Sequence, residues 1–260
     1  MSVEPAELLG LAVEVAHRAG AQLLARYGHT TALATKSSVT DPVSEADQAS
    51  ERLIEAALLA ARPKDGILGE EGARRPAASG ITWVVDPLDG TVNYLYQLDN
   101  FAVSIAAVDS AGEIAGVVYD PTANRTYTAT RGGGAHLDGR RLAVNDPVPL
   151  GRALLGTGFG YLARRRALQG QVIGALLPQI RDIRRIGSAA LDLCAVASGR
   201  LDGYYEEGVN PWDVAAGGLI AREAGALMTS IKLTDAEAGW VVAGPGLHSA
   251  LVQALSKLAR

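Results

Sequence analysis

Between residues 8 and 27 the apolar positions Leu8, Ala12, Val15, Ala19, Leu23 and Tyr27 recur at steps of three or four, the stripe of an amphipathic helix. A polar stretch from His29 to Pro42 follows, with weak strand character and then turn signals. Ser44 to Arg62 predicts a second helix, with Ser44 as N-cap and Leu53, Ile54, Ala57, Leu58 and Ala61 inward. "GILGEEG" and "ITWVVD" are short apolar runs stopped by acidic residues, as buried strands would be, with "ARRPAAS" a solvent loop between them.

From Phe101 to Val144 the segments "FAVSIAAVD", "EIAGVVYD", "RTYTATR", "GAHLDG" and "RRLAV" are short, alternating and divided by turn residues, which predicts an antiparallel meander. "GGG" at 132–134 reads as one of its hairpin turns. "NDPVP" at 145–149 marks the best boundary and divides the chain into halves 1–146 and 147–260. Beyond it strands alternate with helices: "ALLGTGFG", a helix near 163–178, "RDIRRI", a helix from Ser188, "LDGYYE", a helix from about 213, "ALMTSI", "GWVVAG" and a last helix from about 246. That alternation predicts a mixed α/β fold, its N-terminal half with a largely antiparallel sheet and its C-terminal half α/β.

Composition narrows the function. The 260 residues carry a net charge of −4 and offer no basic footprint for nucleic acid. One cysteine, Cys194, makes no internal disulfide and no zinc motif, so a reducing, cytoplasmic setting is expected. The N-terminal segment carries Glu4, Glu7 and Glu14 and lacks the basic start of a signal peptide. No apolar run reaches the ~18–20 residues of a membrane span.

The chemistry lies in acidic residues placed at the ends of predicted strands. Glu70 and Glu71 follow "ILG", Asp86 and Asp89 flank "PL" after "WVV", Glu206 follows "GYY", and Asp213 follows Trp212. Carboxylates that converge at one sheet edge repel unless hard cations hold them, and an all-oxygen donor set suits Mg²⁺. Pro87 would aim the Leu88 carbonyl outward, and Gly90 and Thr91 would open a turn whose N–H groups suit phosphate. Each single carboxylate also has a bland explanation as a turn former or cap; Ser44 to Asp47 is a passable capping box, and Ser188 could simply cap its helix. "GTGFG" at 156–160 lacks the dinucleotide spacing GxGxxG, and Trp83, Trp212 and Trp240 read as packing residues. The spacing DxxDGT is not the DxDGT of haloacid-dehalogenase phosphatases, and the turn lacks the alternate acids of an EF-hand. His17, His29, His136 and His248 stand outside every acidic motif.

"GEEG", "WVVDPLDGTVNY" and "NPWDVAAGG", in this order, resemble the signature blocks of the inositol monophosphatase family. "IRRIGSAALDLCAVASGRLDGYYEEG" is similar to the block of its bacterial inositol-1-monophosphatases, and the resemblance runs from about Leu23 to Leu255. It implies a layered αβαβα sandwich and a phosphomonoesterase acting on myo-inositol 1-phosphate or a related polyol monophosphate. It further implies two or three Mg²⁺ ions, inhibition by Li⁺ and a homodimer. By position, Glu70, Asp86, the Leu88 carbonyl, Asp89 and Asp213 match the metal ligands. Thr91 with Glu70 matches the pair that activates water, and Lys36 and Asp47 fit the family's K…VTxxD block, with Ser44 in place of the usual Thr. The Gly90 and Thr91 amides match the phosphate cradle. Asp89, the Ala189 amide and Glu206, near Gly187 and Ser188, match groups that hold inositol hydroxyls, and Asp213 borders the same substrate site. "EAGALMTSIKLTDAEAGW" is shorter than the family pattern there, as is the loop after Glu71. Relatives act on histidinol phosphate, fructose 1,6-bisphosphate or adenosine 3′,5′-bisphosphate, and the alternative of another class is a non-enzymatic protein-binding role.

Overall fold

The computed structural model describes residues 4–29, 32–35, 42–234 and 238–258; Lys36 lies outside them. Helix α1 (Pro5–Arg26) buries Leu8, Ala12, Val15, Ala19 and Leu23 in one line, and each large aliphatic side chain so buried contributes ~1.5–3 kcal/mol. A two-stranded ladder, β1 (Ala32–Thr35) against β2 (Pro42–Ser44), leads into α2 (Glu45–Ala61). The expected cap is present: the Asp47 N–H donates to Ser44 Oγ at 3.3 Å and the Ser44 N–H to Asp47 Oδ2 at 2.7 Å. The inward face of α2 departs from expectation. Ala61 is exposed and Leu53 and Ala57 only partly covered, whereas Asp47, Ser50 and Glu51 are buried beside Ile54 and Leu58. Those three polar groups tolerate burial because each has hydrogen-bond partners below.

Strands β3 (Gly66–Gly69), β4 (Arg74–Arg75) and β5 (Thr82–Asp89) precede the short helix α3 (Thr91–Leu95). The meander comprises β6 (Ala102–Asp109), β7 (Gly112–Asp120), β8 (Arg125–Thr130), β9 (Gly134–Leu137) and β10 (Arg140–Arg141). These eight strands form one sheet in the order β10-β9-β8-β7-β6-β5-β3-β4, antiparallel except where β3 runs parallel to β5. Gly132–Gly134 makes the expected hairpin between β8 and β9. Of the residues in "ARRPAAS", 74–79 are exposed as predicted, though Arg74 and Arg75 pair briefly with β3, while Ala73 is half-buried against the α1–α2 cluster.

The second sheet uses β11 (Leu154–Thr157), then α4 (Ala163–Leu176), β12 (Asp182–Arg184), α5 (Ala189–Ala197), β13 (Gly203–Glu207), α6 (Pro211–Glu223), β14 (Leu227–Ile231), β15 (Gly239–Ala243) and α7 (Pro245–Ser256). Its order is β12-β11-β13-β15-β14; β11 is parallel to β12 and β13, and β15 is antiparallel to its neighbours. Helix α6 starts before residue 213 because Pro211, whose φ is preset, takes its first position.

Three apolar clusters define the layers. One joins α1 and α2 to one face of the large sheet. The second packs α5 and α6 between that sheet's other face, through Val84, Ala102 and Val118, and the small sheet, through Tyr204 and Val242. The third places α4 and α7 on the small sheet's far side. The αβαβα sandwich is therefore observed. Strands β5 to β7, covered on both faces, are buried nearly throughout and do not alternate. Among the described residues, no helix is long and apolar enough to cross a membrane.

Candidate active site

The turn "DPLD" gets its geometry from a slip in strand pairing. Asp86 stands opposite Ser104 and Asp89 opposite Ala102, so three steps on β5 match two on β6. One extra residue in a strand is a β-bulge, a place where Pro is tolerated. In a regular strand residues three apart face opposite sides; the bulge restores the phase and turns both carboxyls toward α5 and α6. Neighbouring β3 ends with Gly69 opposite Val85, just before the bend, and the Glu70 N–H donates to the Val85 carbonyl at 3.2 Å. Glu70 is thereby delivered beside Asp86. The N-terminus of α6 supplies Asp213, whose Oδ2 accepts from the Asn210 N–H at 2.6 Å.

Glu70, Asp86, Leu88, Asp89, Gly90, Thr91 and Asp213 line one end of a cavity of about 390 Å³, and Gly187, Ser188, Ala189, Asp192 and Glu206 line it further along. Asp47 sits beneath and holds Thr91: the Thr91 hydroxyl lies 2.7 Å from Asp47 Oδ1 and 3.1 Å from the Leu88 carbonyl. Gly90 has φ +97°, a left-handed conformation that a side chain would strain, and a Cβ there would come within 3.0 Å of the Asn100 carbonyl. The bend is fixed from both sides, since the Leu88 N–H donates to Asp86 Oδ1 at 3.1 Å and the Ser50 hydroxyl to the Pro87 carbonyl at 2.9 Å.

Electrostatics divides the cavity. Asp86 is 1% exposed, and burial, then the charges of Glu70, Asp89 and Asp213, hold its carboxyl well above the usual range. Asp213 is raised by burial and then by Glu70 and Asp89. Asp89 is pushed up to about 6 by burial, opposed by the Ser188 hydroxyl at 2.6 Å and the Ala190 N–H at 2.7 Å. Ser188 both caps α5 and ties Asp89 to it. Glu206 is pushed up to about 7 by burial, opposed by the Tyr204 hydroxyl, which donates to it at 2.8 Å, and by Arg185.

The donor set fits a hard divalent cation. Four carboxyls and a carbonyl share one wall and are oxygen only, and the raised carboxyls of Asp86, Asp89 and Asp213 are ones a bound cation would bring back down. As the side chains stand, no three His, Cys, Asp or Glu among the described residues close around a single point.

Several features were not anticipated. Trp212, expected to be packing alone, lines the cavity, and its Nε1 has no hydrogen-bond partner. "GTGFG" makes room for acids: a Cβ at Gly158 would overlap the Glu206 carboxylate, and one at Gly156 would lie 2.6 Å from Asp192 Oδ1. Asp192 is 1% exposed, its Oδ1 lacks a partner, and burial, then Glu206 and Asp89, raise its carboxyl.

The acid-lined cavity thus lies at the strand ends of an αβαβα sandwich. The profile of the Inositol monophosphatase family matches residues 4–260. The inositol-1-monophosphatase SuhB of Mycobacterium tuberculosis is 44% identical over 98% of this chain and 95% of its own. A solved structure of Mycobacterium tuberculosis SuhB superposes with a TM-score of 0.86, covering 99% of this chain and 98% of that one. The Nus factor SuhB of Escherichia coli is 41% identical over 85% of this chain and 84% of its own. Staphylococcal IMPase-II, solved with inositol monophosphate, is 28% identical with a TM-score of 0.77, covering 96% of this chain and 98% of that one. The chain belongs to the inositol monophosphatase family and is a phosphatase.

Proposed function

We propose that this phosphatase hydrolyses myo-inositol 1-phosphate and related polyol monophosphates with Mg²⁺. The observation that carries the reading is the single cavity that gathers Glu70, Asp86, Asp89 and Asp213 with Ser188 and Glu206. Glu70, Asp86, the Leu88 carbonyl, Asp89 and Asp213 would hold the ions, two or three by the family resemblance. When bound, the ions supply positive charge that offsets the phosphate oxygens and eases ionisation of water.

The chain's own groups do the positioning. The Thr91 hydroxyl, donating to Asp47, keeps lone pairs to accept a hydrogen bond that orients the attacking water, and Glu70 takes the one proton that water gives up. The Gly90 turn presents the Gly90 and Thr91 amides to phosphate oxygens. Glu206, with Gly187, Ser188 and Ala189 alongside, receives ring hydroxyls, and Asp89 stands between the two ends. In this division the half 1–146 brings most of the cation donors, and 147–260 brings Asp213 and the substrate wall. A staphylococcal relative solved with inositol monophosphate supports the substrate class. Inhibition by Li⁺ and a homodimer are implied by the family resemblance, and a cytoplasmic location by the single cysteine.

The test compares kcat/KM in Mg²⁺ for inositol 1-phosphate, histidinol phosphate, fructose 1,6-bisphosphate and adenosine 3′,5′-bisphosphate. Inositol 1-phosphate is expected to lead, because an acidic acceptor suits hydroxyls and opposes a second phosphate. A lead of orders of magnitude for any of the others ends the reading.

A further inference from the structure

The buried polar groups of α2 fall at 47, 50 and 51, one face of a helix. Two of them serve the β5 bend, Asp47 through Thr91 and Ser50 through the Pro87 carbonyl. The third serves a different turn. Glu51 Oε2 accepts from the Glu71 N–H at 2.8 Å, and Oε1 accepts from the Ala73 N–H at 3.0 Å. The same turn is closed by the Gly69 N–H on the Ala73 carbonyl at 2.7 Å. Gly69 leaves the space that Glu51 fills, since a Cβ there would overlap Glu51 Oε2.

Burial raises the Glu51 carboxyl and the two amides counter it, so the clamp is a buried acid held by backbone donors. Such an arrangement orders the turn at the expense of desolvating a carboxyl. Packing alone would be better met by an apolar side chain, which leaves the turn as what Glu51 serves.

We propose that Glu51 is a positioning residue of the active site: by pinning the turn at 70–73 from below, it sets the Glu70 carboxylate beside Asp86 in advance of cation binding. The proposal rests on reading Glu70 as a metal ligand, and the experiment separates the two.

The variants are Glu51→Gln, which keeps one acceptor and turns an amide NH₂ toward the second backbone N–H, and Gly69→Ala, which displaces Glu51 without altering it. Glu51→Ala is a harsher third, and the other two stand if it does not fold. Three quantities are read: Mg²⁺ affinity by calorimetry, amide hydrogen exchange at residues 70–73 in chelator-treated protein, and Tm. For both mild variants we expect Mg²⁺ affinity to fall roughly tenfold, the scale of losing a group that orients a ligand. Exchange at 71 and 73 should quicken while the rest of the large sheet stays protected, and kcat at saturating Mg²⁺ should drop less than the Mg²⁺ affinity.

If the mild variants bind Mg²⁺ like wild type with unchanged exchange, the proposal fails while the metal reading stands. The proposal also fails if Tm falls but the folded fraction keeps wild-type affinity, because Glu51 would then be structural only. Wild-type protein that takes up no Mg²⁺ overturns the metal reading and this proposal together.

Discussion

The two ends of the cavity are both acidic, yet they differ in how the protein treats the acids. At the β3–β5 end Asp86 faces Glu70, Asp89 and Asp213 and takes one backbone N–H from Leu88. At the α5–β13 end two acids are answered, since Asp89 takes a hydroxyl and an amide from the start of α5 and Glu206 takes the Tyr204 hydroxyl and feels Arg185, while Asp192 keeps an unpartnered Oδ1. An unanswered cluster calls for an outside cation, whereas answered acids can stay in place to accept neutral hydroxyls. On the reading proposed above, the placement of donors within one cavity, more than the count of carboxyls, would sort metal chemistry from substrate recognition.

The sharpest way to break that contrast is Asp86→Asn. Removing one charge from the unanswered end should lower kcat/KM in Mg²⁺ by on the order of 10³-fold, the scale of losing an electrostatic group in a reaction site. The same change should raise Tm in chelator-treated protein, because it relieves the repulsion that raises the Asp86 carboxyl. Steady-state kinetics and calorimetry read the two halves of the prediction. A variant with near-normal turnover, or one less stable in chelator, would show that the acids at this end are not held in mutual opposition.

Much of the contrast was legible in the sequence, and the reason is local. Asp86 and Asp89 lie in one turn, Ser44 and Asp47 in one capping box, and the stripe of α1 is a single periodic run. What escaped depends on contacts distant along the chain. Ser50 and Glu51 are absent from the inward positions the sequence suggests for α2, since their partners are the Pro87 carbonyl, 37 positions on, and the amides of Glu71 and Ala73, 20 and 22 on. A reader following 47, 50, 51, 54 and 58 as one helical face would have noticed polar residues on the buried stripe. The glycines of "GTGFG" carried no readable purpose because the carboxyls they admit belong to α5 and β13. The bulge that aligns Asp86 with Asp89 is a pairing property of β5 with β6, which Pro87 hints at and only the partner strand defines.

At the answered end the informative change is Glu206→Gln, which keeps the Tyr204 contact and removes the charge. Inositol 1-phosphate should lose roughly 30-fold in kcat/KM, carried by KM, for a charge-assisted hydrogen bond of ~2 kcal/mol. Glycerol 2-phosphate has no ring hydroxyls to place there and should change less than about twofold, within the non-additivity expected of such contacts. Equal losses on both substrates would mean that Glu206 supports the phosphate end, and the division between the ends would dissolve.

The smallest effect concerns pH and needs no substrate. Glu206 sits at about 7 in the folded protein against a usual 4.5, so the fold favours its protonated form. A carboxyl raised on folding contributes stability that is complete below the unfolded value and lost as pH rises through the folded one. In chelator-treated protein, wild type should therefore lose stability relative to Glu206→Gln between about pH 4.5 and 7, and the gap should level off above pH 8. The expected size is on the order of 1 kcal/mol once solvent screening of a partly exposed group is counted. Urea titrations of both proteins at matched pH measure it directly. A difference that is flat across this range would mean that Tyr204 and Arg185 fully compensate the burial of Glu206, making this acid still more completely answered than its distances imply.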